Sequence, residues 1–351
     1  MELNNILFSF LFLFFGYFLN KYLLFILKKN KTNFLIDDHF KKPQAFHKNP
    51  TPRTGGILIF FLSNTIFLYL FFFKGIFSIT YISFCNFFFL LGFLDDLKIN
   101  IRPKFRLISM VLLLIVLVIS NEFYINKTGL EFLDHLVRID IFSLIFVCLC
   151  FLFIINGSNL IDGFNGLLGI HALIILTVLL VVNLINESDL VYILFYFCLS
   201  ILIFLKFNFP KAQMFLGDSG AYFIGAFIAI STIHTTNLNF SISPFFICIL
   251  LFYLFFEVFF SFFRKIFFVR KSPLFPDNKH LHMLLYNFIL KKEKNKIKAN
   301  YMVSIYINFI YLLLIIPGIV FMNDGLFCRY YFFSLLILYI YFYNRLYKKL
   351  K

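Results

Sequence analysis

Five short polar stretches interrupt an otherwise apolar chain: PRTGG (Pro52–Gly56), LDDLKIN (Leu94–Asn100), NGSNLIDGFNGL (Asn156–Leu167), FLGDSG (Phe215–Gly220) and PDNKHLH (Pro276–His282). Four of them carry a carboxylate. An ionisable group beside hydrocarbon is costly, so each marks a functional site by default. Asp95-Asp96 is the densest case. Adjacent carboxylates repel and persist where a cation or a proton relieves them. A helix C-terminus disfavours them further. Such a pair facing other carboxylates suits Mg²⁺ and phosphates. A solvated acidic helix end is the alternative.

Asn156, Asn159, Asp162 and Asn165 recur every three residues. On a helix, successive members occupy neighbouring positions of one broad face. Gly157, Gly163 and Gly166 among them permit tight turns and close backbone approach. The alternative is an ordinary turn between two spans. Asp218 and Ser219 open a later span, where either serves as an N-cap, a reading that weakens beside the other polar loops on the same side. His280 and His282 share a side only in extended or turn structure. Zinc would need more ligands, and no Cys is near. The pair reads as phosphate or sugar contacts, or as an acid/base pair, with Asp277 capping or orienting the turn. Arg53 suits a bidentate phosphate contact or a charge anchor. Glu257 lies deeper and either pairs internally or faces a cavity. Together these groups suit Mg²⁺-dependent phosphoryl transfer between a soluble anionic donor and a lipid-borne phosphate acceptor.

Apolar elements must position them. The chain is 61% hydrophobic with 58 Phe, a mean hydropathy of +0.90 and only 14% charged residues. That composition excludes a soluble protein and predicts an all-α polytopic membrane protein. The whole chain, 1–351, reads as one transmembrane catalytic domain. At about 20 residues per span, eleven apolar segments begin near residues 5, 55, 78, 106, 140, 167, 190, 220, 244, 301 and 329. The first, about Leu7 to Leu27, is too long for a signal-peptide core. The six Cys sit in apolar runs and suit packing, with Cys148 and Cys150 a weak metal candidate.

Of 32 Lys and Arg, 27 fall in alternate loops and the C-terminal tail, and four in the opposite loops. That split predicts the N-terminus outside and the C-terminus in the cytoplasm. All five polar stretches then share the cytoplasmic side. The loop 264–298 has room for a short amphipathic helix, and its cluster Lys291, Lys292, Lys294, Lys296 and Lys298 fits anionic lipid. No internal repeat is visible, which argues against a secondary transporter of an anionic solute.

In order, HKNPTPRTGGI (His47–Ile57), FLDDL (Phe93–Leu97), NGSNLIDGFNGL, FLGDSG and SPLFPDNKHLH (Ser272–His282) resemble the polyprenyl-phosphate N-acetylhexosamine-1-phosphate transferases. That family includes phospho-N-acetylmuramoyl-pentapeptide transferase. The resemblance spans about residues 38 to 290. It implies a ten- or eleven-helix enzyme of the bacterial inner membrane, with its site facing the cytoplasm. Such an enzyme moves a sugar 1-phosphate from a UDP-sugar to undecaprenyl phosphate, needs Mg²⁺ (Mn²⁺ as a substitute) and releases UMP. PRTGG and PDNKHLH resemble the UDP-GlcNAc branch that initiates surface polysaccharides. Met283 stands where many relatives carry another His. The muropeptide enzyme is the nearest alternative.

By this resemblance Asp95 and Asp96 handle the acceptor phosphate. Asp218 is the first Mg²⁺ ligand and Asp162 the second, with a further catalytic role for Asp162. Asn156, Asn159 and Asn165 contact nucleotide or pyrophosphate. His280, His282, Arg53 and Lys48 bind phosphate or sugar. A CDP-alcohol-type phosphotransferase would pack its aspartates into one helical motif, which is absent. A non-catalytic assembly subunit would not need Asp95, Asp96, Asp162 and Asp218. No nucleic-acid partner is expected, and a homodimer stays open.

Overall fold

A computed structural model describes residues 3–30, 35–37, 50–99, 101–270, 272 and 277–351. Long apolar runs cannot leave backbone N–H and C=O groups unpaired in lipid, so they fold as helices. Along the chain these are α1 (Leu3–Asn30), α2 (Gly55–Lys74), α3 (Ile79–Asp96), α4 (Pro103–Ser120), the short α5 (Glu131–Val137), α6 (Asp140–Ile161), α7 (Leu167–Ile185) and α8 (Leu190–Asn208). They continue as α9 (Gly217–Leu238), α10 (Pro244–Leu250), α11 (Phe252–Phe263), α12 (Leu281–Glu293), α13 (Lys296–Val320) and α14 (Gly325–Leu350). A two-residue antiparallel ladder, β1 (Ile36–Asp37) with β2 (Thr51–Pro52), precedes α2.

Among the described residues, nine helices are long and apolar enough to cross a membrane, or ten if α10 and α11, bent by 78° at their break, count as one span. The segment expected near residue 220 is α9, which is not among those ten. Its sequence, GDSGAYFIGAFIAIST, is rich in small and hydroxyl residues, and nearly all of it is buried. Helices α2, α3, α6 and α7 all pack on it. A helix enclosed by protein needs no lipid-facing apolar surface, and small side chains let its neighbours approach. By contrast α1, α4 and α14 expose large apolar residues such as Phe10, Leu112 and Ile337, as lipid-facing helices do. The six Cys are all free.

The break at Leu251 aims α11 toward the site. It is matched by Gly157 on α6, where a Cβ would lie 2.1 Å from the Leu254 carbonyl oxygen. The Tyr311 hydroxyl donates to the Leu250 carbonyl at the bend, a partner such breaks require in a membrane. A π-helical turn, Arg264–Val269, follows α11. A short helix, α12, lies in the loop 264–298.

The loops sort to two ends. Asp96, Asp218, Arg53 and Arg106 meet at one. At the other, Asn126 contacts Asn237 and the Ser243 N–H reaches the Met322 carbonyl.

Candidate active site

The site begins with the end of α3. Asp96 is 1% exposed. Its Oδ1 accepts the Asp218 N–H at 3.0 Å, and its Oδ2 accepts the Ser219 N–H at 3.0 Å and the Ser219 hydroxyl at 2.6 Å. Asp96 therefore caps α9 from another span and sets its carboxylate against the positive end of that helix. Gly217 makes the approach possible. Its φ is +78°, and a Cβ there would sit 2.5 Å from Asp96 Oδ2.

Two guanidiniums tie the carboxylates together. Arg53 contacts Asp37 through Nη2 at 2.6 Å and Nε at 3.2 Å, and Asp96 Oδ1 through Nη1 at 3.5 Å. Burial alone would lower its pKa, but Asp37, Asp218 and Asp96 outweigh that and raise it. The PRTGG stretch is sewn to FLGDSG by backbone bonds, Phe215 N–H to Pro52 at 2.8 Å and Gly55 N–H to Phe215 at 2.9 Å. Arg106, in the first turns of α4, contacts Asp95 Oδ2 at 2.6 Å and Asp218 Oδ2 at 3.5 Å.

Asp162 follows the last residue of α6 as its C-cap. Its carboxylate has no hydrogen bond or ion pair among the described residues. Burial raises its pKa well above 3.8, and the Asp218 and Asp96 charges raise it further against the opposing pull of Arg53. Asn159 on the same helix donates to the Tyr222 hydroxyl of α9 at 3.2 Å. Asn156 donates to the Leu152 carbonyl one turn back at 2.8 Å. Asn165 does not join this face. The helix has ended, and its amide donates to the Pro210 carbonyl while its N–H reaches Asn300.

A second cluster adjoins the first through Phe164, which meets the His282 ring edge-on at 5.8 Å. His280 is the extended N-cap of α12 and His282 lies in its first turn, their rings stacked at 5.5 Å. The sharing of a side expected for an i, i+2 pair is found. Both face Glu257 Oε1, each Nδ1 at 3.7 Å. Burial lowers the His282 pKa to about 3 despite the Glu257 charge, so this ring is neutral at physiological pH. Its side chain has no exposed surface. Asp277 lies 3.3 Å from His280 Nε2 and 2.9 Å from Arg264. Burial would raise the Asp277 pKa, but His280, Arg264 and Lys265 hold it low. Glu257 pairs internally, one of the two options its depth left open.

Asp95, Asp96, Asp162, Asp218 and Arg53 are thus brought together, with Asn159 alongside and the His pair one aromatic ring away. Lys48 lies outside the described residues. Arg106, Asp37 and Tyr222 were missed. Arg106 carries a sequence signal, a cation placed inside the start of an apolar span. Asp37 and Tyr222 carry none.

Five carboxylates (Asp37, Asp95, Asp96, Asp162 and Asp218) thus meet two guanidiniums. Among the described residues, the excess negative charge and the unpaired Asp162 fit a divalent cation. Among the described residues no three His, Cys, Asp or Glu are grouped to cage a metal. Mg²⁺ does not need such a cage, since it is usually held by one or two carboxylates, waters and substrate phosphates.

The sequence profile described as glycosyl transferase family 4 matches residues 56–236. The chain is 29% identical over 260 residues to an undecaprenyl-phosphate alpha-N-acetylglucosaminyl 1-phosphate transferase of Thermotoga maritima, covering 72% of each chain. It is 31% identical over 270 residues to a phospho-N-acetylmuramoyl-pentapeptide-transferase of Prochlorococcus marinus, covering 71% of this chain and 73% of that one. A Dictyoglomus thermophilum protein of the same name is 36% identical over 194 residues, and the match spans 59% of its length.

Proposed function

The chain belongs to glycosyl transferase family 4, and from that premise we propose that it transfers an N-acetylhexosamine 1-phosphate from a UDP-sugar to undecaprenyl phosphate. An acceptor phosphate oxygen bonds to the donor's β-phosphorus as the bond to the bridging oxygen breaks, and UMP leaves. The observation that carries this reading is the surplus, among the described residues, of carboxylates over guanidiniums around Asp162, which has no partner there.

Asp162 and Asp218 would hold Mg²⁺. Bound there, the ion would neutralise phosphate charge and orient donor and acceptor. Asp96 fixes the start of α9 and so the position of Asp218. Asp95 is the carboxylate left to act at the acceptor phosphate. Arg53 and Arg106 bind phosphate oxygens by exchanging one carboxylate partner each, a task their fork geometry suits. Lys48 assists at the same phosphates. Asn156 and Asn159 face the nucleotide, and the His280 turn borders the sugar. The site faces the cytoplasm of the bacterial inner membrane, and the lysines of α12 and its flank contact anionic lipid.

N-acetylglucosamine is favoured as the donor sugar by the PRTGG and PDNKHLH stretches and by the name of the Thermotoga relative. The muropeptide donor is the second reading, favoured by the names of the Prochlorococcus and Dictyoglomus relatives. Purified protein with Mg²⁺, undecaprenyl phosphate and a panel of UDP-sugars decides between them. UMP release with UDP-GlcNAc, or a close N-acetylated relative, and almost none with UDP-MurNAc-pentapeptide is expected. Faster turnover of the pentapeptide donor would move the chain to the second reading. No release with any donor would remove the transferase reading.

A further inference from the structure

Helix α14 is lipid-exposed along most of its length, with 17% of its span buried. Its buried residues are Cys328, Leu335, Tyr339 and Tyr343, and the last three recur every four positions on one face. In a chain with 58 Phe, packing alone does not call for Tyr at these positions. The hydroxyls have partners. Tyr339 donates to Glu257 Oε2, and Tyr343 donates to the Lys279 carbonyl at 2.9 Å. The rings of Tyr339, Tyr343 and Tyr347 stack in sequence at 6.4 and 6.2 Å. Lys279 lies over Tyr347 at 5.8 Å.

Glu257 is 1% exposed. A carboxylate so buried must be compensated by donors. Its Oε1 accepts the Leu281 N–H at 2.7 Å and faces both histidines, while Tyr339 takes the other oxygen. His282 Nδ1 also meets the Tyr253 hydroxyl at 3.2 Å. Arg264, Lys265 and Asp277 complete the charged surroundings of the turn. The orientation of the His280–His282 turn thus depends on a carboxylate that α14 holds from behind. We propose that the tyrosine ladder of α14 is a positioning device. Through Glu257 and the Lys279 carbonyl it fixes the histidine turn against the site.

Outer partners of functional side chains commonly matter tenfold or more. Tyr339→Phe deletes the hydroxyl and keeps the ring, which packs edge-on against Phe256 at 4.9 Å and Phe260 at 5.4 Å. The full-length detergent-purified protein would be treated with diethylpyrocarbonate, and modification of each His followed by mass spectrometry. His280 and His282 are expected to react about tenfold faster in Tyr339→Phe than in the parent. Tyr343→Phe should have a smaller effect in the same direction, and Tyr330→Phe, on an exposed side chain, none. This readout needs no substrate.

The activity readout rests on the transferase reading. There Tyr339→Phe should lower kcat by about tenfold, with little change in KM. Unchanged modification rates would overturn the positioning role. So would lost activity that tracks only a lower Tm. A parent protein that releases no UMP would sink the transferase reading, while the modification rates would still decide this one.

Discussion

Asp96 at the end of α3 accepts the backbone N–H of Asp218 at the start of α9, 3.0 Å away. Two carboxylates of like charge are thereby held side by side, one facing inward as a cap and one, with its side chain 29% exposed, facing the site. The cap satisfies α9 N–H groups that would otherwise be orphaned in the protein interior. It also makes the position of Asp218 depend on α3.

Replacing Asp96 with Ala should therefore damage the fold before the chemistry. Three hydrogen bonds to a buried carboxylate disappear, and two α9 N–H groups lose their partner. A loss of about 2–4 kcal/mol is expected, read as a lower unfolding midpoint in detergent together with lost UMP release. A variant with normal midpoint and no activity would instead make Asp96 a reacting group.

Asp162→Asn should do the opposite. Its carboxylate is unpaired among the described residues and its pKa is raised. The folded state therefore binds a proton more tightly than the unfolded state does. Stability from this group is present at low pH and is lost as pH rises from the ordinary value of 3.8 through the raised one. Without divalent cations, the parent's unfolding midpoint should fall over that range and the variant's should stay flatter. Added Mg²⁺ should raise the parent's midpoint at neutral pH and raise the variant's less. Turnover in the variant should drop by about 10²–10³, as expected for an electrostatic group at developing charge. An Mg²⁺ response as large in the variant as in the parent would take Asp162 out of the metal site.

Much of this site was readable in the sequence because membrane chains have few polar residues and place them sparingly. The five stretches stood out against apolar runs, and their loops sort to one end. The His pair met the geometry its spacing required. What was hidden is tertiary. The N-cap of α9 was sought in Asp218 or Ser219, but the capping side chain comes from Asp96, over 120 positions away in sequence. The three-residue period predicted that Asn165 would share a face with Asn156 and Asn159. That holds only while the helix continues, and α6 stops at Ile161. Tyr339 lies beyond the recognised motifs, in the last apolar span.

Gly157→Ala tests how the broken span is held. Most glycine-to-alanine changes within a helix are favourable, so propensity alone predicts a more stable protein. Here the new methyl would land 2.1 Å from the Leu254 carbonyl oxygen, a backbone atom of α11 that cannot swing aside. Overpacking of this kind costs about 1–3 kcal/mol. Because α11 carries Glu257, the displacement should also disturb the histidine turn and lower activity. A rise in the unfolding midpoint would show that α6 and α11 are not tightly packed at this point.

The acidic end of the fold should face the cytoplasm. The fold joins the acidic loops at one end, and loop charge sets which side of the membrane that end takes. The loops at the acidic end carry most of the Lys and Arg, while the opposite end has Lys74, Lys127, Arg138 and Arg329. Insertion retains positive loops on the cytoplasmic side. The proposed UDP-sugar donor calls for the same side. In a background with the six native Cys replaced, a single Cys at Lys104 or Lys294 should react with an impermeant maleimide only after the inner membrane is opened. A Cys at Lys127, whose side chain reaches the Phe240 carbonyl at the opposite end, should react in intact spheroplasts. Labelling of Lys104 and Lys127 positions from the same side would contradict the fold itself. The reverse pattern would keep the fold and place the site outside, where no UDP-sugar could reach it.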